Sequence, residues 1–174
     1  MSVPVNALVV RDVKHTDSAE LADLLNAIIA RGGTTALEEP FTAEELAQAF
    51  LIGPEVHCCF VATDPATGRI EGFQTLCRYP MRPDEIGDIG TFARVDGSQR
   101  GVGTALFAAS RLRARALGLS AINATIRADN AGGLAFYSKQ GFLDHDVVEG
   151  VPMKDGTRID RIVKRYPLTQ AEIG

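Results

Sequence analysis

Along this chain the spacing of apolar residues switches repeatedly between the strand period and the helix period. Residues 8–13 form an apolar, β-branched run that predicts a first strand. Asp17 then has the character of a helix N-cap, with Glu20 three positions on to complete a capping box. Leu21, Leu24, Leu25, Ile28 and Ile29 follow at helical spacing until Gly32 and Gly33 stop the run. Thr42 and Glu45 repeat the box before a shorter helix carrying Leu46, Ala49 and Phe50. Residues 56–63 and 70–79 predict two strands joined by a turn at 64–68, and 86–95 predicts a third after an exposed loop at 79–85 that holds two prolines. A helix is expected over 101–117, a strand over 119–127, a helix over 130–140 and a strand over 142–148. Asp155-Gly156 marks a hairpin turn into a last strand at 158–166.

The predicted order, β-α-α-β-β-β-α-β-α-β-β, implies an α+β fold. A meander of three strands comes first, and the later strand–helix–strand unit sets two strands parallel. No repeat, low-complexity stretch or boundary interrupts the chain, so residues 1–174 are expected to form one domain.

Composition narrows the function more than the fold. The 174 residues are 45% apolar and 23% charged, and their net charge of −4 offers no excess of cations for a nucleic-acid backbone. No apolar run reaches membrane-span length and residues 1–11 lack a signal pattern, so a cytoplasmic protein with no membrane or nucleic-acid partner is expected. Cys58, Cys59 and Cys77 are expected to be buried reduced thiols. The adjacent pair would face opposite sides of a strand and could not easily share a metal, so no metal site is assigned.

Two short motifs carry the chemistry. Ser98-Gln-Arg-Gly-Val-Gly-Thr104 lies between a strand and a helix. Glycines at 101 and 103 leave backbone N–H groups of a helix start uncovered, and such groups suit a pyrophosphate, with Arg100 adding charge at the rim. The same glycines would also serve a plain tight turn. No P-loop and no dinucleotide fingerprint is present. The second motif, Asn130-Ala-Gly-Gly-Leu-Ala-Phe-Tyr137-Ser-Lys139-Gln-Gly141-Phe142, follows the next predicted strand.

Together these motifs resemble those of the GNAT superfamily of N-acetyltransferases, and the segment 32–40 is similar to phosphinothricin-type and amino-acid N-acetyltransferases. The first signature of the superfamily, Gln/Arg-x-x-Gly-x-Gly/Ala, is met at Gly101 and Gly103 but has Ser98 at its head. The second, Asn-x-x-Ala-x-x-x-Tyr-x-Lys-x-Gly-Phe, has Gly133 where the alanine stands. The resemblance implies a mixed, mostly antiparallel sheet of six to seven strands flanked by about four helices, with a splay between the fourth and fifth strands. It implies acetyl-CoA as acyl donor, its arm in that splay along Phe92, Ala93, Arg94 and Val95, where an N–H near Ala93 polarises the thioester carbonyl. Its diphosphate would lie on Gln99, Arg100, Gly101, Val102, Gly103 and Thr104, with Asn130 and Lys139 as further cofactor contacts. Asn130 is also a plausible helix cap, and Tyr137 is either a packed aromatic or the acid that protonates the departing sulfur.

The acceptor is expected to be the primary amine of a small molecule. Asp88 and Glu85 are candidates for its base, with Glu38, Glu39 and His57 as alternatives. Glu38, Glu39 and Arg78 are also candidate acceptor contacts: Arg78 or Arg82 would meet an acceptor carboxylate, whereas Glu38, Glu39, Asp84, Glu85 and Asp88 would suit a cationic acceptor. A protein N-acetyltransferase would need an open groove beside a short, mobile 79–85 loop, and a non-catalytic acyl-CoA-binding regulator would have no use for Tyr137. Two copies are expected to pair through 147–163, if the chain is a homodimer.

Overall fold

A computed structural model describes residues 7–97 and 99–168. In chain order the elements are β1 (Val9–Asp12), α1 (Ser18–Arg31), α2 (Ala43–Leu46), β2 (Val56–Thr63), β3 (Ile70–Arg78), β4 (Ile86–Ala93), α3 (Val102–Ala116), β5 (Ala121–Arg127), α4 (Ala131–Gln140), β6 (Leu143–Pro152) and β7 (Arg158–Pro167). The strands make one sheet ordered β1-β2-β3-β4-β5-β7-β6. Every neighbouring pair is antiparallel except β4 and β5, which the α3 crossover makes parallel. The order of elements, the parallel pair and the strand count all match the expectation from the sequence.

Strand alternation divides the interior into two layers. Leu76, Ile89, Leu106, Phe107, Ile122, Tyr137 and Phe142 pack on the face covered by α3 and α4. Leu21, Leu25, Leu46, Val61 and Phe73 pack on the face covered by α1 and α2. Cys58 belongs to the first layer and Cys59 to the second, and burial pushes the Cys58 thiol up to about 11 and the Cys59 thiol well above its ordinary value. These are inert core thiols rather than nucleophiles.

One expected cap is realised and one is not. The Thr42 hydroxyl accepts from the Glu45 N–H at 3.2 Å while Glu45 accepts from the Thr42 N–H at 3.0 Å, and α2 then continues as a π-helical turn over Ala47–Leu51. Asp17 does not cap α1 with its side chain. Its carboxylate is drawn back to the Lys14 N–H at 2.7 Å and to a bidentate contact with Arg11 at 2.8 and 2.9 Å, below a short 3-10 turn at His15–Asp17. Arg11 therefore holds this carboxyl below its usual range. Glu20, its expected partner, instead accepts from the Ile70 N–H at 3.0 Å. A charged neighbour on β1 outcompetes the neutral N–H groups of the helix start.

The far edge of the sheet is bare. Seven consecutive residues of β6 are exposed, among them Leu143, Val147 and Val148, and its ladder with β7 shifts register twice.

Candidate active site

β4 and β5 stay together for only three pairs, Ile86–Ala121, Gly87–Ile122 and Asp88–Asn123, and then diverge. The Arg94 N–H donates to the Glu71 carbonyl at 2.9 Å on the β3 side. Antiparallel alternation from that bond turns the N–H and C=O groups of Ile89, Thr91 and Ala93 toward the gap. The gap opens into a cleft of about 610 Å³ that reaches both faces of the sheet. Phe92, Ala93, Arg94, Val95, Asn130 and Tyr137 all line it. The Arg94 guanidinium is itself engaged, by the Ile70 carbonyl at 2.8 Å and Glu20 at 3.3 Å, so this residue offers the cleft its backbone and stem.

At the head of α3 the two motif glycines have different reasons to be glycine. Gly101 sits at φ +77° with open space where a Cβ would lie. A Cβ on Gly103 would meet the Phe136 ring at 2.7 Å, so its size is set by the approach of α3 to α4 rather than by clearance for a ligand. The N-cap of α3 contributes no side-chain bond, whereas α2 and α4 are capped by Thr42 and Asn130. Among the described residues, no N-cap side chain covers the first N–H groups of α3.

Side chains around them are mostly engaged elsewhere. Gln99 donates to Asp64 at 3.1 Å, Thr104 accepts from Gln140 at 2.9 Å, and Val102 is buried in the core. Arg100 and Lys139 are exposed. Ser98 lies outside the described residues.

The Tyr137 hydroxyl lies 2.8 Å from Thr91 Oγ1 on β4, and its ring packs edge-on against Phe136 and Phe142 with centroids 5.0 Å away. The side chain is the packed aromatic that one reading expected, and it also lines the cleft. Burial pushes its phenol up to about 12, with the Thr91 bond acting in the opposite direction.

Asn130 caps α4 through Oδ1, which accepts from the Gly133 N–H at 2.9 Å, while Nδ2 donates to the Thr34 carbonyl at 3.1 Å. One of the two N–H donors of this amide nitrogen is thus engaged by the α1–α2 loop. A Cβ on Gly133 would lie 2.5 Å from that nitrogen, which accounts for glycine where the signature has alanine.

Beside the cleft, where β4 and β5 part, is a second cavity of about 170 Å³ bounded by Phe50, Thr75, Tyr79, Asp88 and Phe92. Burial raises the Asp88 carboxyl and Arg82, 3.0 Å away, opposes that shift. Arg82 also stacks on the Tyr79 ring at 5.6 Å and reaches Thr125 at 3.5 Å, so the loop between β3 and β4 is pinned across the fork. Arg78 pairs with Asp84 at 2.8 Å and Glu55 at 3.1 Å.

Other expected residues are directed away from both cavities. Glu38 accepts from the Lys154 N–H at 3.0 and 3.1 Å and Glu39 pairs with the Lys154 ammonium, tying both to the β6–β7 hairpin. Glu85 is exposed and gives its backbone carbonyl to the Ser120 N–H at 2.8 Å. His57 borders neither cavity. Thr91 and Gln74 escaped the reading from sequence. Nothing in the stretch 70–76 singles Gln74 out, because Glu71 and Thr75 are polar there as well.

The sequence profile of the Acetyltransferase (GNAT) family matches residues 23–142. No curated protein sequence matches the chain. Among solved structures it resembles an N-acetyltransferase from Staphylococcus aureus Mu50, with TM-score 0.80 and 19% identity over 93% of this chain and 99% of that one. A ribosomal-protein-alanine N-acetyltransferase from Brucella melitensis aligns with TM-score 0.79 and 21% identity over 92% and 100%. A phosphinothricin acetyltransferase from Sinorhizobium meliloti, in complex with AcCoA, aligns with TM-score 0.80 and 19% identity over 94% and 90%.

Proposed function

The chain belongs to the acetyltransferase (GNAT) family and uses acetyl-CoA as acyl donor; on that premise we propose that it acetylates the primary amine of a small molecule by direct attack on the thioester. When bound, the donor supplies an activated acyl group and a leaving thiol. The uncapped N–H groups of 102–104 hold its diphosphate, with Arg100 at the rim. The strand edge of Ile89, Thr91 and Ala93 holds its arm, and the Ala93 N–H polarises the carbonyl. Asp88 takes a proton from the acceptor ammonium, and Tyr137 gives one to the departing sulfur. Over the whole reaction the ammonium gives up two protons: one ends on sulfur and the other leaves to solvent.

The observation that carries the small-molecule reading is the pinned loop. Arg82 ties it to Asp88, Tyr79 and Thr125, which narrows the fork to a cavity for a small amine instead of a peptide groove. The charges favour an acceptor without a carboxylate. Arg78 and Arg82, the guanidiniums nearest that cavity, are each already paired with carboxylates, while Phe50, Tyr79 and Phe92 surround Asp88 with rings that suit an ammonium.

A thiol-release screen tests this with acetyl-CoA and phenethylamine, spermidine, methionine, kanamycin and an alanine-headed peptide. Phenethylamine or spermidine should exceed methionine by at least about tenfold, the effect of one uncompensated charge. Fastest turnover of methionine would remove the charge argument, and turnover of the peptide alone would replace the small molecule with a protein acceptor. The bare edge of β6, with Leu143, Val147 and Val148 exposed on it, further supports a homodimer paired through that strand.

A further inference from the structure

The geometry assigns a positioning role to Gln74, which acts through Thr91 to keep the Tyr137 proton free for the departing sulfur. This rests on the reading of Tyr137 as proton donor. Gln74 on β3 and Thr91 on β4 are direct cross-strand partners on the face beneath α3 and α4, and Gln74 is completely buried. Gln74 Nε2 donates to Thr91 Oγ1 at 2.9 Å, and Thr91 Oγ1 stands 2.8 Å from the Tyr137 hydroxyl. No other hydrogen bond to the Tyr137 hydroxyl is found among the described residues.

The direction of the second bond follows from counting protons. A threonine hydroxyl has one proton and two lone pairs. The amide of Gln74 fills one lone pair, and among the described residues the proton of Thr91 then finds a single acceptor, the Tyr137 oxygen. If Thr91 donates to Tyr137, the Thr91 hydroxyl is satisfied as donor and acceptor and the phenol keeps its own proton for a ligand in the cleft. If Tyr137 donates to Thr91 instead, its proton is taken and the Thr91 proton is stranded in a buried site. Accepting from the amide also makes the hydroxyl a stronger donor.

The amide orientation has its own physical ground. As placed, Gln74 leaves Oε1 and one of its two N–H protons without a partner among the described residues. Reversed, it would strand two N–H donors, and buried N–H groups are left unpaired more rarely than carbonyl-type oxygens. Reversal would also offer Thr91 an acceptor, send its proton to Gln74 and turn the Tyr137 proton inward. The glutamine therefore fixes the polarity of the chain.

The test reads the thiol rather than turnover. Coenzyme A is bound to the protein and the pH midpoint of its thiolate absorbance is measured against desulfo-coenzyme A as blank. Wild type should hold the bound thiol below its free value. Gln74→Leu and Thr91→Val should each raise the midpoint by about half a unit to one unit, as loss of one hydrogen bond to the charged form does, and Tyr137→Phe by at least as much. Gln74→Leu should leave coenzyme A affinity at low pH within about twofold, because the Gln74 side chain is buried and does not line the cleft. Thr91→Ser, which restores a hydroxyl, should recover most of the shift. A raised midpoint in Tyr137→Phe with none in Gln74→Leu and Thr91→Val would overturn the relay and leave Tyr137 as donor. No shift in Tyr137→Phe would overturn both.

Discussion

Asp88 and Tyr137 face opposite demands, yet burial raises both and a hydrogen-bonding neighbour, Arg82 or Thr91, opposes each shift. Burial raises the Asp88 carboxyl, Arg82 opposes, and the balance sets the pH at which this group becomes able to take a proton. Replacing Arg82 with alanine removes the opposing positive charge, so the Asp88 midpoint must rise. The acidic limb of kcat/KM should then move to higher pH by about one unit, as for loss of a close opposite charge. An unmoved or lowered limb would exclude Asp88 as the base. Tyr137, pushed up to about 12, keeps its proton throughout the working range, so no alkaline limb below that value should belong to it. The motif around Tyr137 stands out in the sequence because its residues are neighbours along one helix. Its partners do not, because Thr91 and Gln74 meet it only through the register of β3 on β4. Glu38 and Glu39 were misplaced for the same reason: the lysine that engages them is more than 100 positions away.

Helix starts show how local chemistry predicts an element until a distant group intervenes. Thr42 and Glu45 form the expected box because no stronger partner competes for either, whereas Asp17 abandons its cap for Arg11. Gly133 offers a test at this scale. Alanine ordinarily stabilises a helix interior by about 1 kcal/mol over glycine. Here its Cβ would press on the Asn130 amide and displace a cap of similar value, about 1 kcal/mol, together with the bond to Thr34. Gly133→Ala should therefore lower the melting temperature in the natural background and raise it in an Asn130→Ala background. A rise in both would mean that the amide yields without cost. The splay itself was legible only through the family resemblance. Nothing in the composition of β4 or β5 announces that they part after three pairs.

For the molecule as a whole, the sheet has a covered middle and an exposed margin at β6. If two copies join there, Val147→Lys should shift sedimentation from dimer to monomer without altering the melting of the monomer, since Val147 is already half exposed. A monomer at every concentration in the natural protein would dispose of the pairing. The hairpin after β6 has another bearing through Lys154, which holds Glu38 and Glu39 of the α1–α2 loop, while Thr34 of that loop is held by Asn130. One short segment is thus moored at both ends to parts of the chain encoded far downstream. Any attempt to graft a foreign version of it, by breeding or by design, imports a loop cut from its anchors. Residues 34–39 must travel together with 130 and 154 if the segment is to keep its moorings.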